Sequence, residues 1–320
     1  MKKLATRMTA ILAFALLAGA AQAQFPAKPI RVVVPFPAGS ATDTVARVLS
    51  ASVSQAIGQP LLVENKAGAD GAIAAADVAK SPADGYTLLM ATNSPMSAVP
   101  AMKKVPPYDP VADFTPITDV GRYTFFIVVH PDVPAKSLNE LIAYARANPA
   151  KLNYATGNTT GIVSTAFFAA QAQIRMVHVP YKGEPQALTD LVAGRVQVMF
   201  CSSGTSVPMI REGRLRAVVT TLPRRSHLLP ELPTIAEAGM PQFSITSWAG
   251  LFGPARMPRP VVERLNKEFV AAMGRADVQS AMEKQAFALS PSSPERLADL
   301  VKEQLESYRS TLRAAGVEPE

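Results

Sequence analysis

Short β-branched runs alternate with helical patterns along this chain, and the alternation starts afresh part-way through. That rhythm constrains the fold most, because strands and helices in turn, joined by brief turns, are the sequence form of an α/β architecture with mostly parallel sheets. Ile30 to Val34 reads as a buried strand. A Pro- and Gly-rich turn follows, then a helix from Thr42 to Ile57 whose Val45, Val48, Leu49, Val53 and Ala56 share one face. Leu61 to Glu64 and Tyr86 to Ala91 read as strands flanking a helix from Ala72 to Lys80, so the opening unit is β-α-β-α-β.

A second unit begins near Phe125 to Val129. Ser137 with Glu140 three residues on forms a capping box at the start of the next helix. Leu152 to Ala155 is a strand and Ile162 to Ala172 a helix. Strands at Val177 to Val179, Val196 to Phe200 and Leu215 to Thr221 then alternate with helices at Gln186 to Val192 and Val207 to Arg211. After a strand at Trp248 to Phe252 the chain is mostly helical. Its last helix has Ser293 as N-cap, Pro294 at the first position and Gly316 beyond the end. Leu297, Leu300, Val301, Leu305, Tyr308 and Leu312 form one stripe on it, read as core packing. With 320 residues, two lobes with substantial cores are expected.

The first 23 residues read as an export leader: Lys2, Lys3 and Arg7, an apolar run from Met8 to Ala18, and a small-x-small site at Ala21-Gln22-Ala23. The run is shorter than the roughly 20 residues that span a bilayer, so cleavage near Ala23 is expected and the mature chain begins at Gln24. Loss of those three cations takes the formal net charge from +7 to +4. Spread over nearly the whole chain, that excess gives no footprint for nucleic acid. A lone Cys201 forms no intramolecular disulfide and no cysteine zinc site.

The inventory of reactive groups is thin. His130, His178 and His227 stand without an H-E-x-x-H or a close ligand set, so no metal is expected. No G-x-S-x-G elbow, complete phosphate-binding loop or dinucleotide fingerprint occurs, and no cofactor is expected. Two turns of similar design do stand out. Pro35-Phe36-Pro37-Ala38-Gly39-Ser40-Ala41-Thr42-Asp43 and Thr156-Gly157-Asn158-Thr159-Thr160-Gly161 each leave a strand's C-terminal end and enter a helix. Helix N-termini carry unpaired N–H groups and positive partial charge, so small residues beside hydroxyls there can cradle a carboxylate without Arg or Lys. One from each lobe would hold a ligand in the cleft between them. Asn93-Ser94, Tyr181-Lys182-Gly183 and Ser202-Ser203, each at a strand end, could add walls, with Lys182 the one cation placed near an anion.

In this order, Pro35 to Gly39 with Thr42-Asp43 and Ala46-Arg47, Val63-Glu64-Asn65, Asp84 to Leu88, Val179 to Gly183, Pro233-Thr234 with Glu237-Ala238-Gly239, and Trp248 to Pro258 resemble the Bug or TctC family. These are periplasmic solute-binding proteins of tripartite tricarboxylate transporters. The resemblance runs from Pro26 to the C-terminus.

It implies an α/β fold of the type II periplasmic-binding kind, with two lobes joined by crossing strands near Gly121 to Val128 and Ser247 to Phe252. Residues 24–122 and 248–320 would form lobe 1, and 123–247 lobe 2. By the same resemblance, Phe36, Ala38, Gly39, Ser40, Thr42 and Asp43 would face Thr156, Gly157, Asn158, Thr159 and Thr160 across a carboxylate, in a monomer serving inner-membrane transporter subunits. A ligand-sensing module for a membrane kinase, or a secreted hydrolase using Ser40 or Cys201, is the alternative. Ser40 replaces a second glycine usual in the family, and Lys66 to Gly71 replaces a Gly-rich stretch. Ile162 to Phe168 lacks the usual His and Glu, which favours an apolar or aromatic carboxylate.

Overall fold

The computed structural model describes residues 25–221, 224–243, 247–314 and 319. The leader and Gly316 lie outside the described residues. In chain order the first elements are β1 (Ile30–Val34), α1 (Ala41–Ile57), β2 (Leu61–Asn65), α2 (Ala72–Ala79), β3 (Thr87–Thr92), a wide helical turn (Ser94–Ala98), α3 (Val99–Met102) and β4 (Phe114–Tyr123). Next come β5 (Phe125–Val129), α4 (Leu138–Ala147), β6 (Asn153–Thr156), α5 (Thr159–Ala172), β7 (Val177–Pro180), α6 (Glu184–Val192), β8 (Val198–Ser202), α7 (Ser203–Arg211) and β9 (Arg216–Thr220). The remainder is β10 (Ser247–Pro254), α8 (Arg259–Met273), α9 (Ala276–Lys284), β11 (Phe287–Leu289) and α10 (Pro294–Ala314).

The strands form two sheets, one in the order β11-β4-β10-β3-β1-β2 and one in the order β7-β6-β8-β5-β9. Helices cover both faces of each, so the central strands are apolar on both sides. In the first sheet Val32, Leu88 and Leu251 pack with Leu49 of α1 and Leu265 and Phe269 of α8. Val33, Leu89, Trp248 and Phe252 point the other way, against Val78 of α2 and Leu297 and Val301 of α10. The second sheet repeats the scheme. Ile127, Val198 and Phe200 meet Leu141 and Phe168 on one face, and Phe126, Val128 and Cys201 meet Ala187, Leu191 and Val207 on the other.

The sheets are mixed, which corrects the expectation of mostly parallel pairing. β1 pairs in parallel with β2 and β3, and β6 with β7 and β8. β10 runs antiparallel to β3 and β4, and β5 antiparallel to β8 and β9. The reason is topological: β5, the first strand of the second sheet, and β10, the first strand on return to the first sheet, each insert between two strands that run the opposite way. Only Thr124 separates β4 from β5. β10 pairs with β4 from Ser247 to Pro254, wholly within the first sheet, in place of the expected crossing through Ser247 to Phe252.

The stripe on α10 is buried along its length, from Leu297 to Leu312, and closes over the first lobe. Its N-cap is Ser293, whose hydroxyl accepts the Arg296 N–H at 3.3 Å. Several helices begin earlier than their sequence patterns predict: α5 at Thr159, α6 at Glu184 and α7 at Ser203. In α5 the Asn158 side chain accepts the Gly161 N–H at 2.9 Å and recruits Thr159 and Thr160, read as turn residues, into the first turn.

Candidate functional site

The turn after β1 is fixed from beneath. Ser40 N-caps α1, its hydroxyl accepting the Asp43 N–H at 3.3 Å. Asp43 in turn accepts the Gly39 N–H at 3.0 Å and the Asn65 amide at 2.8 Å, and pairs with Arg47. Asn65, at the end of β2, also donates to the Phe36 carbonyl at 3.0 Å and accepts from Arg47. Burial alone would raise the Asp43 carboxyl's pKa, but the bonds from Arg47, Gly39 and Asn65 outweigh it and hold it below the ordinary range. Thus Asp43 shapes the turn from behind.

The second turn faces the first. Gly157, Asn158 and Thr160 join Phe36, Ser40, Ala41 and Thr42 around one cavity of about 30 Å³, room for roughly two waters. Thr92, Tyr123, Phe125, Glu184, Ser202 and Ser247 complete the wall, which contains no Lys, Arg or His among the described residues. Ligand pockets commonly measure about 300–1,000 Å³, so the two lobes stand nearly shut on this cavity. A larger groove of about 760 Å³, between Ile73, Met102 and Val105 on one side and Ile162 on the other, takes in Thr159 but nothing of the first turn.

Of the residues singled out from sequence, Phe36, Ser40, Thr42, Gly157, Asn158, Thr160 and Ser202 reach the cavity. Ala38 and Gly39 lie exposed on the outside of their turn. Thr156 sits behind its turn, its hydroxyl 2.7 Å from His178 Nε2. Tyr181 and Lys182 line a neighbouring groove of about 290 Å³ at the mouth, and Tyr181 donates to Asp190. Ser94 and Ser203 donate to the backbone carbonyls of Asp70 and Gln285.

Asn93 is fully buried just behind the wall. Its amide donates to Thr160 and Tyr308 and accepts from the Ser247 hydroxyl and the Trp248 N–H.

Sequence reasoning missed Tyr123, Phe125 and above all Glu184. Glu184 follows Tyr181-Lys182-Gly183 and opens α6, where an acidic residue reads as an ordinary first-turn partner of the helix dipole. In the fold it is 7% exposed. Burial pushes its carboxyl pKa up, with hydrogen bonds from Ser202 and Thr205 opposing only in part. Tyr123, whose hydroxyl donates to Thr42 at 2.9 Å, is likewise pushed up by burial. Cys201 is buried and its thiol pushed up, first by burial and then by the nearby Glu184 charge, the opposite of an activated nucleophile.

Residues 45–317 match the model of the tripartite tricarboxylate transporter family receptor, TctC. A protein of Pseudomonas sp. strain P51, designated UPF0065 and encoded in the tcbD-tcbE intergenic region, is 39% identical over 96% of this chain and 93% of its own. Among solved structures, the periplasmic binding protein BugD is 31% identical with a TM-score of 0.88, over 92% of this chain and 100% of that one. A Rhodopseudomonas palustris protein solved with adipate is 32% identical, TM-score 0.89, over the same shares. MatC of that organism, solved with malate, is 32% identical, TM-score 0.85, over 90% of this chain and all of its own. The architecture is therefore the two-lobed α/β fold of periplasmic binding proteins, and this chain belongs to the tripartite tricarboxylate transporter receptor family.

Proposed function

We propose that this chain is an exported periplasmic receptor that captures a small carboxylate by lobe closure and delivers it to inner-membrane transporter subunits. The observation that carries the reading is that two helix N-termini, those of α1 and α5, open from opposite lobes onto one cavity whose wall holds no cation among the described residues. Unpaired amides and aligned dipoles suit a carboxylate there. Phe36, Ser40, Thr42, Gly157, Asn158 and Thr160 are its proposed contacts, and Ser202 its polar neighbour. Lobe 1 is taken as residues 24–122 and 248–320 and lobe 2 as 123–247, following an export leader cleaved near Ala23. Adipate and malate in the related R. palustris structures favour the same ligand class.

Closure follows from linkage: a ligand touching both lobes binds the closed form better and shifts the population toward it. No catalytic role is assigned. Ser40 is engaged in capping and Cys201 lies in the core, so neither supports the hydrolase alternative. The test is a thermal-shift and calorimetric screen with dicarboxylates, keto acids, aromatic acids and acidic amino acids. A ligand at about 100 times its Kd should add roughly 2.7 kcal/mol of stability. Silence across the whole panel would sink the reading, and undiminished binding by Thr42→Trp would displace the site.

A further inference from the structure

Among the described residues Glu184 is the one acidic side chain in the cavity wall, and only half of its carboxyl group is engaged. Oε1 accepts from the Ser202 N–H at 3.0 Å, from the Ser202 hydroxyl at 2.5 Å and from the Thr205 hydroxyl. Oε2 accepts no hydrogen bond among the described residues. Capping of α7 through the Ser202 N–H accounts for Oε1 and leaves Oε2 without a role.

No cation among the described residues compensates the group either. Burial and the Ser202 and Thr205 donors account for its shift, with no Arg, Lys or His among the causes. Oε2 is not one of the enclosed polar atoms that lack a partner, so it is open to the cavity, and a ligand that displaces solvent there leaves it unpaired unless it brings a donor.

The second turn lies directly against this residue. A Cβ on Gly157 would fall 2.4 Å from the Glu184 backbone nitrogen, so the amides of the second turn and the Glu184 carboxyl occupy one corner of the cleft. An anion held on those amides would bring a negative charge close to Oε2.

We propose that Glu184 contacts the ligand, and that the ligand is a carboxylate bearing its own hydrogen-bond donor, a hydroxyl or ammonium group, which Oε2 accepts. This rests on the receptor reading above. An unsubstituted dicarboxylate would leave Oε2 unpaired beside a second anion. A donor on the ligand removes both penalties at once, and an ammonium also supplies the missing counter-charge. Sites built to bond a substrate donor discriminate strongly against the analogue that lacks it, because their own polar group is then left unpaired. The missing His and Glu of α5 therefore do not make the cleft apolar, since α6 supplies a carboxyl from another direction.

The experiment is calorimetry on the purified protein with three matched series: succinate, malate and aspartate; glutarate, 2-hydroxyglutarate and glutamate; benzoate and 2-hydroxybenzoate. In at least one series a donor-bearing member should bind about tenfold or more tightly than its parent acid, the discrimination expected of one charged hydrogen bond. Glu184→Gln should narrow that ratio to about threefold or less while the parent acid keeps its affinity. Parent acids binding as tightly as their substituted partners would overturn the assignment and leave the receptor reading standing. So would a uniform weakening of every ligand by Glu184→Gln, since that marks a structural role. If no carboxylate of the three series or of the wider screen binds, the receptor reading itself falls.

Discussion

The Asn93 side chain donates a 3.0 Å hydrogen bond to the Thr160 hydroxyl, joining the end of β3 in the first lobe to the first turn of α5 in the second. The same amide meets Tyr308 on α10 and both Ser247 and Trp248 at the start of β10. One buried side chain thus connects the second turn of the cavity wall, the returning strand and the last helix. Burial lifts the Tyr308 phenol to about 12 despite these bonds, so it is a neutral partner at any physiological pH. Asn93→Ala should cost about 2–3 kcal/mol in urea unfolding, because several buried polar groups lose their partner together. A loss within about 0.5 kcal/mol would show that the network is replaced by water.

Gly183 and Pro37 touch across the cleft. A Cβ on Gly183 would sit 2.6 Å from Pro37 Cγ, and Gly183 itself is extended, at φ −178°, a conformation open to any residue. Gly183→Ala should therefore obstruct closure more than folding, weakening ligand binding by about tenfold with under about 1 kcal/mol lost in stability. Adding Pro37→Ala removes the obstructing ring atoms, and calorimetry of the double variant should recover most of the affinity. Failure of that recovery would place the obstruction elsewhere.

Asp43 should make the first turn acid-sensitive. Its pKa is held down in the folded protein, so its stabilisation is complete above the ordinary carboxylate range and is lost as pH falls through the lowered value. Asp43→Asn should lower unfolding free energy by about 1–3 kcal/mol near neutrality, with the gap to the parent protein closing in acid. A gap independent of pH would mean that packing, and not charge, sets the contribution.

Glu184 carries the opposite sign. Its folded pKa is raised, so its contribution is complete below the ordinary carboxylate range and is lost as pH rises through the raised value. Glu184→Gln should therefore gain relative to the parent protein as pH rises from the ordinary carboxylate range through the raised value, in denaturant titrations without ligand. Parallel curves would show that the carboxyl titrates alike in both states.

Much of this fold is legible in local chemistry. The Ser137 cap forms as read, its hydroxyl accepting the Glu140 N–H at 3.2 Å, whereas the Glu140 carboxylate reaches one residue further back than a capping box, to the Lys136 N–H. The stripe on α10 is buried where its period placed it. Local chemistry fails where a neighbour decides. Pro116 and Gly121 hide β4, which exists because β10 pairs along it, and β11 is a strand of three residues made by the same edge. The two turns that border the cavity could be picked out from their sequence, whereas Glu184 could not. Its burial depends on where α6 and α7 meet over the second sheet, and nothing in Tyr181 to Gly183 announces that.

Thr124, alone between β4 and β5, is tied on both sides: its hydroxyl donates to the Ala286 carbonyl and its own carbonyl accepts the Ser203 N–H. Its neighbours Tyr123 and Phe125 both border the cavity. The junction between the two sheets and two rings of the cavity wall are thus consecutive residues. Under the proposed receptor function, a ligand pressing on those two rings would act at the junction itself, with no relay through the interior needed to report that the cleft is filled.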